Sequence, residues 1–244
     1  MNRFGLIGYP LGHSFSKKYF TEKFEKEGIK DSIFELFPIE SIDKLPELIN
    51  TYPDLKGLSV TIPYKQSVYQ YLNAVNIPAG INACNSIKIE NGKLTGYNTD
   101  YIGFEKSFTE LLQPRHKKAL VLGNGGATEA VVYVLNKLNI EYRIVSRKIH
   151  GSSTLTYSDV NEDLIKEYTV IINSTPLGTY PDINNCADIP YQYLSPSHYL
   201  FDLVYNPSKT LFLQKGEERG AAIKNGYDML AIQAEASWAI WNSI

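Results

Sequence analysis

The 244-residue chain predicts an α/β protein of two domains, and three observations carry that expectation. Short apolar strands alternate with amphipathic helices, the pattern of a parallel or mixed sheet covered by helices. "GNGGA", Gly123 to Ala127, lies between an apolar strand and a helix in a stretch that reads strand, loop, helix, strand. Asn91-Gly92 separates two alternating runs in "NSIKIENGKLTGYN", the turn signal of an antiparallel hairpin, so the first half carries a mixed sheet.

Taken in order, Phe4 to Gly8 reads as a strand. "KKYFTEKFEKEG" reads as a helix with Tyr19, Phe20 and Phe24 on its apolar stripe and Gly28 as its stop. "IFELFPI" is a second strand, "SIDKLPELINTY" a helix with a proline in its first turns, and Leu58 to Ile62 a third strand closed by Pro63. A helix over Gln66 to Leu72 precedes the hairpin, and a helix from Tyr101 to Leu112 leads into the second domain. There Ala119 to Leu122 is a strand, Thr128 to Leu138 a helix and Tyr142 to Ser146 the next strand. "TVIINST" and "HYLFDLVY" add two strands, and "AIKNGYDMLAIQAEASWAIW" a long closing helix, with Trp238 and Trp241 as core residues.

Composition narrows the function classes. A formal net charge of −2 gives no footprint for nucleic acid or an anionic membrane surface. Cys84 and Cys186 lack the spacing of a zinc site or the density of a disulfide scaffold and read as reduced thiols, with no metal site expected. No run approaches the roughly 20 apolar residues of a membrane span, and the N-terminal apolar run is too short for a signal peptide. A cytoplasmic protein acting on a small molecule is the expectation.

The glycine loop points to a dinucleotide. Gly123 permits a tight turn, Gly125 lets the backbone approach a pyrophosphate, and the following helix offers unpaired N–H groups and the positive end of its dipole. Thr128 stands where G-x-G-x-x-G would place its third glycine. An enzyme using NAD usually carries an acidic residue about 20 residues past the glycines. Here "VSRK" offers Arg147 and Lys148, a pair suited to a ribose 2′-phosphate, which favours NADP; the other reading is a solvated basic turn.

The first domain has no such loop and is expected to hold the substrate. "SVTIPYK" delivers Lys65 just past the end of a strand, where open α/β sheets build their sites, and "GYNTD" delivers Asp100 near the domain junction. A lysine ammonium beside a carboxylate can donate a proton to a carbonyl oxygen as hydride reaches its carbon. Spacing alone does not establish the pair, since a lone lysine and a lone aspartate are far more often solvent-exposed than catalytic.

"GYPLGHSFS", "SVTIPYK", "NACNS", "GYNTD", "GNGGA", "INSTPLG", "DLVYNPSKTLFL" and "NGYDMLAIQAEASW" follow one another in order and register. Together they span the chain and resemble the shikimate dehydrogenase family. The resemblance implies a substrate domain over 1–102 plus 226–244, a Rossmann-like NADP-binding domain over 103–225, and a cleft between them. It implies NADP-dependent, reversible reduction of 3-dehydroshikimate to shikimate by a monomer or homodimer. Ser14 and Ser16 would bind the substrate carboxylate with help from Tyr205, and Thr61, Asn85, Asp100 and Gln233 the ring hydroxyls. Lys65 would transfer the proton and Asp100 hold it in place; His13 would brace the turn. Gly123, Asn124, Gly125, Gly126 and Ala127 would meet the pyrophosphate, Ser146, Arg147 and Lys148 the adenosine phosphate, and Leu203 and Gly226 the nicotinamide, with Met229 nearby.

Some positions depart from the family pattern. Lys17 stands where proline is usual, Ser59 replaces an asparagine, and Cys84 and Ser86 replace a valine and a threonine of similar size. A second arginine of the phosphate loop is absent, with Lys148 as its substitute. Two rival readings remain: a quinate/shikimate dehydrogenase with relaxed cofactor use, and a catalytically silent regulator binding the same ligands.

Overall fold

The computed structural model describes residues 1–12 and 14–243; His13, expected to brace its turn, lies outside the described residues. The chain forms two compact units, one of residues 1–99 with 233–244 and one of residues 100–232.

The first unit contains β1 (Asn2–Ile7), α1 (Phe15–Glu27), β2 (Ser32–Phe37), α2 (Leu45–Thr51), β3 (Leu55–Val60), β4 (Ala74–Asn76), β5 (Ser86–Glu90) and β6 (Lys93–Tyr97). Its sheet runs β2-β1-β3-β5-β6-β4. β1 is parallel to β2 and β3, while β3–β5 and β5–β6 are antiparallel, so the sheet is mixed as expected. The hairpin turns at Asn91 (φ 51°) and Gly92 (φ 73°), both left-handed as a two-residue primed turn requires. α1 starts at the N-cap Ser14 and stops at Gly28 (φ 66°), its apolar stripe sending Phe20 and Phe24 into the core. There Phe20 stacks on Phe34 with centroids 4.6 Å apart, and Trp241 stacks on Phe4 at 5.3 Å. Trp238 packs edge-on to Phe4 in the same cluster, so both tryptophans are core residues.

Three expectations in this unit are corrected. β3 runs Leu55–Val60 rather than 58–62, because Leu55 pairs with β1 whereas Ile62 lies outside the ladder and is exposed. The helix expected over Gln66 to Leu72 is one short 3₁₀ segment, Ser67–Tyr71; a valine and two tyrosines in five residues favour helix weakly. The proline-containing helix is split, a 3₁₀ turn over Ile42–Lys44 preceding α2.

The second unit contains α3 (Asp100–Thr109), β7 (Lys118–Leu122), α4 (Gly126–Lys137), β8 (Glu141–Ser146), β9 (Leu155–Thr156), α5 (Glu162–Glu167), β10 (Val170–Asn173), β11 (Tyr199–Asp202), α6 (Leu211–Glu217) and β12 (Ala222–Lys224). α7 (Tyr227–Trp241) follows, its residues from Gln233 onward belonging to the first unit. The sheet is wholly parallel, in the order β12-β11-β10-β7-β8-β9. Counted within the unit from β7, this is the doubly wound order in which the chain reverses between its first and fourth strands, and ligands bind at the carboxyl ends there. The closing helix is shorter than expected: Ala222–Lys224 instead extends the sheet as β12 alongside β11. α4 opens two residues earlier than expected, taking Gly126 and Ala127 into its first turn.

Candidate active site

At the reversal between β7 and β10 the second unit opens a cavity of about 910 Å³. Gly123, Asn124 and Gly125 enter from the loop after β7, Ser146 to His150 from the loop after β8, and Ser174 to Leu177 from the loop after β10. Gly123 has φ +110°, and a Cβ there would lie 2.8 Å from Ser174 Oγ, so this position requires glycine. Cβ atoms on Gly125 or Gly126 would enter open space beside the start of α4, leaving room for a ligand's phosphates at a helix N-terminus. Ala127 sits in that first turn.

Thr128, at the missing third glycine, is only 2 % exposed. Its Oγ accepts from Gly125 N at 3.2 Å and lies 3.0 Å from Ser174 Oγ. The hydroxyl closes the loop against β10 as a capping side chain, so the short glycine motif still makes a defined turn. Asn124 does the same on the other side, donating through Nδ2 to the carbonyl of His150 at 2.8 Å and accepting from Ser152 Oγ at 3.0 Å.

Ser146 is buried and donates to the Lys148 carbonyl at 2.5 Å, while Arg147 and Lys148 are exposed on the cavity wall. Tyr157 also lines the cavity; burial pushes its phenol pKa up, and the nearby Arg147 opposes that rise. Among the described lining residues there is no Asp or Glu. The cavity therefore offers two fixed cations and no carboxylate for a ribose diol, a donor set that fits a 2′-phosphorylated dinucleotide.

Leu203 and Gly226 are brought into contact, Leu203 N donating to Asn173 O at 2.9 Å and Gly226 N to Val204 O at 3.2 Å. Met229 is buried in the core cluster against which Leu203 packs. Beneath them Asp202 is fully buried and ties three segments together. Its carboxylate accepts from Asn173 Nδ2 (2.9 Å), Val204 N (3.0 Å) and Thr210 Oγ (2.5 Å). Burial pushes the Asp202 carboxyl pKa up to about 6, against the pull of those hydrogen bonds. Tyr205 is half-buried on the loop after β11, with its phenol pKa raised by burial. Asp100, 9 % exposed, opens α3 in this unit.

In the first unit, Ser14 caps α1 by accepting from Lys17 N at 3.3 Å. Capping uses an oxygen lone pair and leaves the hydroxyl proton for an external acceptor. Ser16 lies in the first turn of the same helix. Thr61 follows β3, its N donating to Ile7 O at 3.0 Å and its carbonyl accepting from Tyr64 N at 2.9 Å; the Lys65 carbonyl then accepts from Cys84 N at 2.8 Å. Asn85 and Gln233 are both buried. Asn85 Oδ1 accepts from Thr99 N at 2.6 Å, so its Nδ2 is the donor to Gln233 Oε1 at 3.2 Å. That orientation leaves the Gln233 amide nitrogen to donate to a ligand.

Sequence reasoning passed over Ser174, Thr175, Thr128, Asp202 and Thr99 as site residues. "INSTPLG" and "DLVYNPSKTLFL" contain three of them, Ser174, Thr175 and Asp202, but polar side chains that act on neighbouring backbone carry no spacing signal of their own. Of the departures, Ser59 is buried within β3 opposite Ser86, and Cys84 is a buried thiol, outside any disulfide, whose Sγ donates to the Ser86 carbonyl at 3.4 Å.

Residues 6–87 match the family model described as the shikimate dehydrogenase substrate binding domain. A protein of Clostridium beijerinckii named shikimate dehydrogenase (NADP(+)) is 38 % identical over 99 % of this chain and 92 % of its own length. One of the same name from Methanococcus vannielii is 34 % identical over 97 % of this chain and 90 % of its own length. The crystal structure of the Thermus thermophilus shikimate 5-dehydrogenase with NADP(H) and shikimate has a TM-score of 0.87 at 26 % identity, covering 100 % of this chain and 94 % of that one. With full-length similarity at this level and a doubly wound unit carrying the phosphate-suited cavity, the chain belongs to the shikimate dehydrogenase family.

Proposed function

We propose that this chain is an NADP-dependent shikimate dehydrogenase, catalysing the reversible reduction of 3-dehydroshikimate to shikimate, and that it works in the cytoplasm. The observation that carries the reading is the carboxylate-free cavity with Arg147 and Lys148 at the sheet reversal, in a chain of this family. No described helix is long and apolar enough to cross a membrane.

Gly123 to Ala127 hold the pyrophosphate at the start of α4, Ser146, Arg147 and Lys148 hold the 2′-phosphate, and Leu203, Gly226 and Met229 border the nicotinamide. The reduced cofactor supplies the hydride that reaches the ring carbonyl carbon. Lys65 donates a proton to the carbonyl oxygen, and in the reverse direction takes it from the ring hydroxyl. Asp100 holds the ammonium of Lys65 and contacts a ring hydroxyl. Ser14, Ser16 and Tyr205 bind the carboxylate; Thr61, Asn85 and Gln233 grip the hydroxyls. A site of so many neutral donors and acceptors rejects analogues that lack a hydroxyl, because its buried groups are then left unpaired.

The test is steady-state oxidation of shikimate and of quinate, each with NADP and with NAD, followed by absorbance of the reduced cofactor. Strong turnover with shikimate and NADP alone supports the assignment. Comparable turnover with quinate or NAD replaces it with the relaxed-specificity enzyme, and binding without turnover replaces it with a regulator.

A further inference from the structure

His150 lines the same cavity as Arg147 and Lys148 and has no part in the roles assigned so far. Its ring is held by the loop that carries it: Nδ1 lies 2.7 Å from the carbonyl of Lys148. A carbonyl only accepts, so Nδ1 carries the proton, and the neutral ring keeps Nε2 as its acceptor. The loop itself is braced from several directions. The Lys148 carbonyl also accepts from Ser146 Oγ at 2.5 Å, Ser153 Oγ donates to the His150 carbonyl at 2.9 Å, and Asn124 of the glycine loop donates to that same carbonyl. Gly151, at φ +56°, makes the turn that lets these bonds form together. The ring is thus presented on a fixed backbone that is tied directly to the pyrophosphate loop.

We propose that His150 is a third, proton-dependent cation of the 2′-phosphate subsite, and that the preference for NADP over NAD rises as it gains a proton on Nε2. This rests on the assignment of Arg147 and Lys148 to that phosphate. The titratable groups that line the cavity with His150 are those two cations on its own loop and the phenol of Tyr157. The loops after β7 and β10 contribute Asn124, Ser174 and Thr175, none of them charged. No described carboxylate lines the wall, so a bound phosphate dianion supplies the counter-charge that the cavity lacks for a protonated imidazole. Proton uptake is then linked to NADP binding and absent from NAD binding, because histidine is the side chain that changes charge near neutrality.

The experiment is calorimetric titration of the full-length protein with NADP⁺ and with NAD⁺ at pH 7.5, in buffers of differing ionisation enthalpy, together with the ratio of their Kd values from pH 6.5 to 8.5. Wild type is expected to take up protons with NADP⁺ but not with NAD⁺, and its preference for NADP⁺ to fall by about tenfold across the range. His150→Gln should abolish the uptake and flatten most of that dependence. His150→Arg should abolish the uptake while keeping the high preference at pH 8.5. Identical proton uptake and pH dependence in His150→Gln overturn the proposal. Arg147→Ala separates the two levels of argument: if it weakens both cofactors equally, the 2′-phosphate lies elsewhere and the subsite itself is rejected. If it acts on NADP⁺ alone while His150→Gln changes nothing, the role of His150 alone is rejected.

Discussion

A Cβ placed on Gly226 would fall 2.2 Å from the carbonyl oxygen of Leu203, so the two chain segments meet at a distance only glycine allows. The obstacle is backbone on both sides and cannot rotate away. Gly226→Ala is therefore expected to cost about 1–3 kcal/mol in chemical denaturation. It should also raise the KM for NADPH, since Leu203 is displaced; unchanged stability and KM together would remove the contact from the account.

Asp202 sets a pH dependence whose sign follows from its surroundings. Its folded pKa of about 6 lies above the ordinary 3.8, so the native state keeps a proton that the unfolded chain loses. This contribution is complete below the unfolded value and is lost as pH rises through about 6. A displacement of about two pH units corresponds to about 3 kcal/mol. Between pH 4 and pH 8, Asp202→Asn should gain up to that amount relative to wild type, measured by denaturant unfolding. Parallel stability curves for the two proteins would show that Asp202 does not titrate in this window.

Ser14 is a helix cap that the proposed function also assigns to the substrate carboxylate, and two substitutions separate these roles. Ser14→Asp keeps an acceptor for Lys17 N but sets a negative charge against the substrate carboxylate. Thermal stability should hold to within about 1 kcal/mol, while the KM for shikimate rises by more than about tenfold. Ser14→Gly loses only a few tenths of a kcal/mol of capping and should weaken shikimate more than an analogue without the carboxylate. Equal losses for both ligands would place the carboxylate elsewhere.

Lys65→Ala removes the side chain proposed as the proton donor. The expected result is a fall in kcat of about 10²–10⁴-fold with a modest change in KM. Turnover near that of wild type would exclude Lys65 from the chemical step.

Arg147→Ala should raise the KM for NADPH by roughly tenfold to a hundredfold, the loss of a hydrogen bond between charged partners, and leave NADH nearly unaffected. Steady-state kinetics with both cofactors reads the difference directly.

How much of this was legible in the sequence depends on the range over which each residue acts. Asn91-Gly92, Gly28 and Gly123 determine local backbone geometry, and each turns the chain where the sequence placed it, although the glycine loop gives up Gly126 and Ala127 to α4. The cavity's Arg147 and Lys148 were legible for the same reason, since they lie just past a strand end. Ala222–Lys224 was read as helix because its role is decided by β11, a partner over 20 residues earlier in the chain. Ser174 and Asp202 were missed because their hydroxyl and carboxylate act on neighbouring loops, and only the folded chain brings Thr128, Asn173 and Thr210 to them.

The residues that complete the first unit, from Gln233 onward, are synthesised after the whole of the second. Trp241 stacks on Phe4 and occupies the space that a side chain on Gly57 would need, its ring atoms lying 2.4 Å from a Cβ built there. A growing chain released from the ribosome N-terminus first thus exposes Phe4, Phe20 and Phe34 well before their partner exists. The second unit is one uninterrupted segment, residues 100–232, and can complete its parallel sheet while that wait continues. Translation order therefore makes the amino-terminal half the later of the two to mature, and a chain truncated by even a few residues before Trp241 leaves that aromatic cluster open.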